Sequence, residues 1–151
     1  MNTLKVGDKV PDFSVLNDQG KPVSLSDYKG KKLVVFFYPK ANTPGCTAEA
    51  CNLRDHFEQL KEKGYELLGV SADSVKKQEN FKSKYEFPFP LLADEEKVVI
   101  NAFGVWGPKK FMGKEYDGIH RMTFLISGDG IVERVIDKVK TKDHAAQILE
   151  D

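Results

Sequence analysis

The chain has 151 residues, close to the usual size of one domain, and its 23 Lys and Arg balance 23 Asp and Glu. That balance leaves no general basic field for nucleic acid or an anionic membrane, and the Lys31-Lys32, Lys76-Lys77 and Lys109-Lys110 doublets are too short and scattered to form one. No apolar run approaches transmembrane length and residues 1–6 lack a signal-peptide apolar region, so the expectation is a single domain over 1–151, without repeats or linkers, in the cytosol.

In chain order, residues 10–25 read as an N-terminal hairpin turning at Asn17-Asp18-Gln19-Gly20. Residues 33–38 form a short β-branched and aromatic run, the pattern of a strand buried on both faces. Pro39 and Asn42 break it. From Thr43 the pattern turns helical, with Thr43 as N-cap, Pro44 as first helical residue and Gly64 as the stop after Lys61 and Lys63. Ala50, Leu53, Phe57 and Leu60 make its core stripe. Residues 65–71 read as a second core strand, 74–85 and 95–103 as helices, 122–127 and 131–139 as a hairpin around Gly128-Asp129-Gly130, and 142–150 as a closing helix. This order predicts an α/β fold with a central mixed sheet covered by helices.

The two cysteines, Cys46 and Cys51, both lie on the helix that follows the first buried strand. Cys46 belongs to the first helical turn, where free N–H groups and the positive end of the helix dipole favour an anion, and the anion a cysteine supplies is a thiolate. The alternative is a buried small hydrophobe. Five residues on, Cys51 stands about 140° round the helix and roughly 8–9 Å from Cys46 between Cα atoms. A disulfide needs about 4.4–6.8 Å, so any bond between the two requires the first turns to unwind. Cys51 also reads as a packed helix cysteine unrelated to Cys46.

Pro39, Thr43 and Cys46 match a P-x-x-x-T-x-x-C signature, and with Cys51 beyond it the stretch resembles the peroxiredoxins, specifically the atypical two-cysteine Q subfamily, also called bacterioferritin comigratory proteins. The resemblance runs from Gly7-Asp8-Lys9-Val10-Pro11-Asp12-Phe13 through Phe103-Gly104-Val105-Trp106-Gly107 to Arg121-Met122-Thr123-Phe124-Leu125-Ile126. It implies a thioredoxin-like fold and a thiol peroxidase without cofactor or metal, reducing hydrogen peroxide and organic hydroperoxides. Cys46 would attack the peroxide and become a sulfenic acid, and Cys51 would resolve it as an intrachain disulfide, recycled by thioredoxin or glutaredoxin. Thr43 would hold its hydroxyl near sulfur and peroxide, and Pro39 would shape and shield the pocket. Arg121 would stabilise the thiolate and orient the peroxide, with Glu49, three residues after Cys46, holding Arg121 by a paired contact. A monomer is the simplest expectation, since no cysteine follows Cys51.

Taken alone, Arg121 reads as a surface ion-pair residue, Glu49 as part of a solvated face, Thr43 as a cap and Pro39 as a strand-ending proline. Trp106 reads equally as pocket wall and as packing. His56, His120 and His144 do not have zinc-ligand spacing with the cysteines, and His144 reads as a surface residue of the last helix. Two further readings share the cysteine pair: a thiol-disulfide oxidoreductase, which would favour C-x-x-C, and a non-catalytic redox sensor.

Overall fold

The N-terminal hairpin pairs β1 (Ser14–Leu16) with β2 (Pro22–Ser24), and its turn buries Asp18, whose carboxylate accepts from the Leu91 N–H at 3.0 Å. β3 (Lys32–Phe37) follows and explains the layering. Leu33, Val35 and Phe37 enter one core cluster while Val34, Phe36 and Tyr38 enter another, as the two-residue period of a strand dictates. Both faces are therefore covered, and the run is apolar throughout.

The computed structural model describes residues 1–150. After β3 come α1 (Pro44–Asp55), α2 (Phe57–Glu62), β4 (Tyr65–Ser71), α3 (Val75–Tyr85), β5 (Leu91–Ala93) and α4 (Val98–Phe103). The chain continues with β6 (Trp106–Phe111), β7 (Lys114–Ile119), β8 (Met122–Ile126), β9 (Val132–Ile136) and α5 (His144–Leu149). The main sheet has the order β5-β4-β3-β8-β9, with β3, β4 and β5 parallel, β8 antiparallel to β3, and β9 antiparallel to β8. Residues of α1, α2, α3 and α5 pack into one core cluster, and α4 with Val10, Phe13 and Val23 into the other. The expected α/β class, with a central mixed sheet between helices and an N-terminal hairpin, is what the chain adopts.

Several boundaries differ from the sequence expectation. The single helix expected to run from Pro44 to Gly64 is two helices, separated at His56 (φ −112°, ψ 16°). The His56 ring, with Nδ1 2.9 Å from the Asn52 carbonyl, sits at the break, and Phe57 is turned toward Phe89 at 6.1 Å between ring centroids. The helix expected at 95–103 starts at Val98 because the buried Asp94 carboxylate accepts the Val98 and Ile100 N–H groups, both at 2.8 Å. Strand β5 and the β6–β7 hairpin carry no strand signal in the sequence. That hairpin turns at Met112 (φ 51°) and Gly113 (φ 80°), and its strands carry Pro, Gly and exposed charged residues in place of apolar alternation.

Candidate active site

Strand β3 delivers the chain to the site as a rigid end. Tyr38, 1% exposed, donates its hydroxyl to Gln78 Oε1 at 2.6 Å, and Gln78 in turn donates to Ser71 Oγ and the Leu92 carbonyl. The loop beyond begins with half-buried Pro39 and is fastened where the Ala41 N–H donates to Asp73 Oδ2 at 2.7 Å. Asn42 takes a left-handed conformation (φ 62°), a residue type that tolerates it, and reverses the chain into the helix.

Thr43 is the N-cap residue with extended backbone, and Pro44 occupies the first helical position, as the sequence suggests. The Thr43 side chain does not cap. Its hydroxyl instead donates to the Lys40 carbonyl at 2.8 Å, which spends its one hydrogen and leaves oxygen lone pairs to accept from something else. Cys46 follows in the first turn, 2% exposed and a free thiol.

Arg121 reaches this turn because of strand register. β8 runs antiparallel to β3, and their ladder ends at Phe37 opposite Met122, which leaves Arg121 beside the start of the loop leading to Cys46. Its Nη2 donates to Cys46 Sγ at 3.3 Å and its Nη1 to Glu49 Oε1 at 2.7 Å. One planar guanidinium therefore bridges sulfur and carboxylate. Burial opposes the Arg121 charge, but Glu49 and Cys46 outweigh it and hold its pKa above the ordinary value. Gly45 makes room: a Cβ there would stand 3.2 Å from Arg121 Nη2.

Glu49 is not on a solvated face. It is 0% exposed, and burial pushes its carboxyl up to about 7 despite the opposing charge and hydrogen bond of Arg121. His144, expected on the surface, is also 0% exposed. No local signal buries it, because its partners, Thr123 Oγ1 at 2.7 Å from Nε2 and Glu49 Oε2 at 3.6 Å, are remote in sequence. Burial lowers its pKa, the Gln147 hydrogen bond opposes this, and Arg121 adds to the lowering.

Cys51 is half-buried on the same helix, also a free thiol. Burial pushes its pKa up, Arg54 counteracts and Asp55 reinforces. With α1 intact from Pro44 to Asp55 the helical geometry keeps the two cysteines apart, at the ~8–9 Å expected for five helical residues. Lys109, part of a surface doublet by local pattern, donates to the Ile119 carbonyl at 2.9 Å and lines an open cleft with His120 and Arg121. Trp106 carries Lys97 Nζ 4.7 Å above its ring, a packing contact at the base of the hairpin. Among the described residues no group of three His, Cys, Asp or Glu side chains could hold a metal ion, and no helix is long and apolar enough to cross a membrane.

Comparisons with known proteins agree with one another. A family model described as the AhpC/TSA family matches residues 6–135. The chain is 52% identical over 150 residues to the putative peroxiredoxin bcp of Haemophilus influenzae, covering 99% of this chain and 97% of the relative. It is 50% identical over 149 residues to peroxiredoxin Bcp of Escherichia coli K12, covering 99% and 96%. Among solved structures, the bacterioferritin comigratory protein of Xanthomonas campestris, described by its alkyl peroxide reduction activity, superposes with a TM-score of 0.85. That match has 38% identity and covers 91% of this chain and 87% of the other.

Proposed function

The chain belongs to the AhpC/TSA family, is a peroxidase of the peroxiredoxin type, and from that premise we propose that Cys46 is its peroxidatic residue and Cys51 its resolving residue. The observation that carries the reading is the Arg121 guanidinium, bonded at once to Cys46 Sγ at 3.3 Å and to Glu49 Oε1 at 2.7 Å. A cation and a helix start that meet at one sulfur stabilise a thiolate there. The thiolate attacks one peroxide oxygen, the O–O bond breaks, and Cys46 becomes a sulfenic acid while the departing alkoxide or hydroxide takes a proton to leave as alcohol or water. Arg121 holds donors where charge passes from sulfur to the leaving oxygen. Thr43, its hydrogen committed to Lys40, accepts the O–H of the incoming hydroperoxide. Pro39 shapes the pocket mouth, and Glu49 fixes the guanidinium.

The second half of the cycle couples chemistry to folding. The Cys51 thiol condenses with the Cys46 sulfenic acid, forming the S–S bond and releasing water, and the first turns of α1 unwind to let the sulfurs meet. A dithiol protein, thioredoxin or glutaredoxin, then reduces the exposed disulfide. Every thiol the cycle needs is in one chain, which supports a monomer, and a transient, catalytic disulfide suits the cytosol. The alkyl peroxide activity of the Xanthomonas campestris relative supports organic hydroperoxides beside hydrogen peroxide as substrates. A thiol-disulfide oxidoreductase is less suited to the five-residue spacing, which cannot close at an intact helix start.

The test is a pair of variants assayed with peroxide and thioredoxin. Cys46→Ser abolishes peroxide reduction. Cys51→Ser gives one rapid reaction with peroxide and no thioredoxin-driven turnover, leaving Cys46 as sulfenic acid or beyond. Substantial thioredoxin-linked turnover in Cys46→Ser overturns the assignment, and insulin reduction without peroxidase activity points to the oxidoreductase.

A further inference from the structure

Behind the guanidinium lies an arrangement that the cycle above does not use. Glu49 Oε1 is taken by Arg121, but Oε2 is buried with no hydrogen-bond partner. A bare carboxylate oxygen in a dry interior is costly, and the polar atom facing it is His144 Nε2 at 3.6 Å.

The hydrogen bonds around His144 fix what that nitrogen can offer. Gln147 donates its Nε2 to the Lys138 carbonyl and accepts the Lys140 N–H at Oε1, so its amide is oriented by two backbone groups. Oε1 is then the atom 2.8 Å from His144 Nδ1, and Nδ1 is the protonated ring nitrogen. In the neutral ring Nε2 carries a single lone pair, and the Thr123 hydroxyl, 2.7 Å away, can either donate to it or turn its hydrogen aside and leave it to a proton from Glu49. Two acceptors, a carboxylate oxygen and a ring nitrogen, thus face each other across 3.6 Å in a site closed to water. What they lack is a proton.

We propose that Glu49 and His144 hold one proton between Oε2 and Nε2, and that this proton decides how much of the Arg121 charge remains for the Cys46 sulfur. With the proton present the pair is neutral in sum, as acid and imidazole or as carboxylate and imidazolium, and the guanidinium charge is left to the thiolate. Without it the pair is an anion in contact with Arg121 and competes with the sulfur for that charge. His144 is thereby a positioning residue of the peroxide reaction, acting through Glu49 and Arg121. The charged groups facing the pair are Arg121 and, beyond it, Cys46; the neutral polar ones are Thr123 from β8 and Gln147 from α5 itself. Burial acts on both members in the direction that places the proton on Glu49, raising the carboxyl to about 7 and lowering the imidazole.

The inference rests on the assignment of Cys46 and Arg121 to the peroxide site, but its first readout is independent of activity. The Glu49 carboxyl carbon and the His144 ring nitrogens are followed by NMR in the reduced wild-type protein from pH 5.5 to 9. Loss of a shared proton moves both nuclei at one midpoint. Separate midpoints, or a His144 ring that stays unchanged while Glu49 titrates, overturn the proposal. The second readout is the rate constant with hydrogen peroxide. In wild type it passes through a descending limb above neutral pH, falling about threefold to tenfold as the pair loses its proton, and Glu49→Gln, which keeps an acceptor for Arg121 but no acidic proton, removes that limb. A wild-type profile with no descending limb, or a limb that persists in Glu49→Gln, overturns it. In His144→Gln the Glu49 midpoint moves; an unmoved midpoint in the folded variant overturns the coupling, and the wild-type NMR titration decides if the variant does not fold. A failure of these titrations leaves the Cys46→Ser result intact, and retained peroxide reduction in Cys46→Ser leaves the shared-proton titration intact.

Discussion

Arg121 divides its donors between a sulfur and a carboxylate, and both contacts depend on the fork shape of the guanidinium. Arg121→Ala is expected to slow the reaction with peroxide about 10²–10³-fold, the scale of losing a preformed donor at developing charge. The accompanying loss of stability is smaller, because the abandoned Glu49 carboxyl, already pushed up to about 7, takes a proton and need not stay as a bare buried charge. Stopped-flow rates alongside thermal unfolding check both halves; a variant with the wild-type rate constant refutes the pocket. Glu49 also carries a pH signature. Its carboxyl is raised from 4.5 when unfolded to about 7 when folded, so the native state binds the extra proton between those values. Its contribution is fully present below about 4.5 and is lost as pH rises through about 7, a swing on the order of 3 kcal/mol. Glu49→Gln should therefore gain on wild type as pH goes from 5 to 8 in denaturant titrations, and a constant difference across that range contradicts the burial argument.

Among the helices, α1 is the one that the proposed disulfide would unwind. It carries Cys46 and Cys51 and ends at Asp55, where the break at His56 uncouples it from α2 and from Leu60, which is fully buried. Asn52, next to Cys51, ties α1 to the last helix: its Nδ2 donates to the Lys142 carbonyl at 3.1 Å and its Oδ1 accepts the Ala145 N–H at 2.8 Å. Oxidation to the Cys46–Cys51 disulfide should accelerate amide exchange over residues 47–53, and at Ala145 if the Asn52 clamp opens, with β3 little changed. Equal protection in both redox states, with the disulfide verified by mass spectrometry, rules out the unwinding. The helix break was not legible in the sequence, since Ala50, Leu53, Phe57 and Leu60 keep helical spacing straight through it.

Across the whole molecule the sheet separates two cores with different duties. Cys46, Ala50 and Leu53 join Phe36, Phe81 and Phe89 on the site face, whereas Phe37, Phe103 and Phe124 meet in tilted and edge-to-face contacts on the other, with centroids 4.9–5.8 Å apart. Phe103→Ala is expected to cost about 3–5 kcal/mol and to lower Tm by roughly 10 °C. The peroxide rate constant of the folded variant should stay within about threefold of wild type, since the cavity lies behind the sheet. A tenfold loss of rate at a temperature where the variant is fully folded would show that the far core positions the site.

The features legible in the amino-acid order are local ones. A β-branched run, a proline break and a Thr-Pro start are read from neighbouring residues, and they put Cys46 in the first helical turn without reference to the rest of the chain. The α/β order follows from the same signals. What meets that turn depends on contacts between distant segments. Arg121 lies 75 residues from Cys46 and touches it because β8 pairs with β3 in one register; a shift by one residue would send its side chain to the opposite face. Glu49 and His144, polar residues that any local reading leaves in solvent, are buried because α1 and α5 pack on the same side of the sheet, and burial then sets their charge.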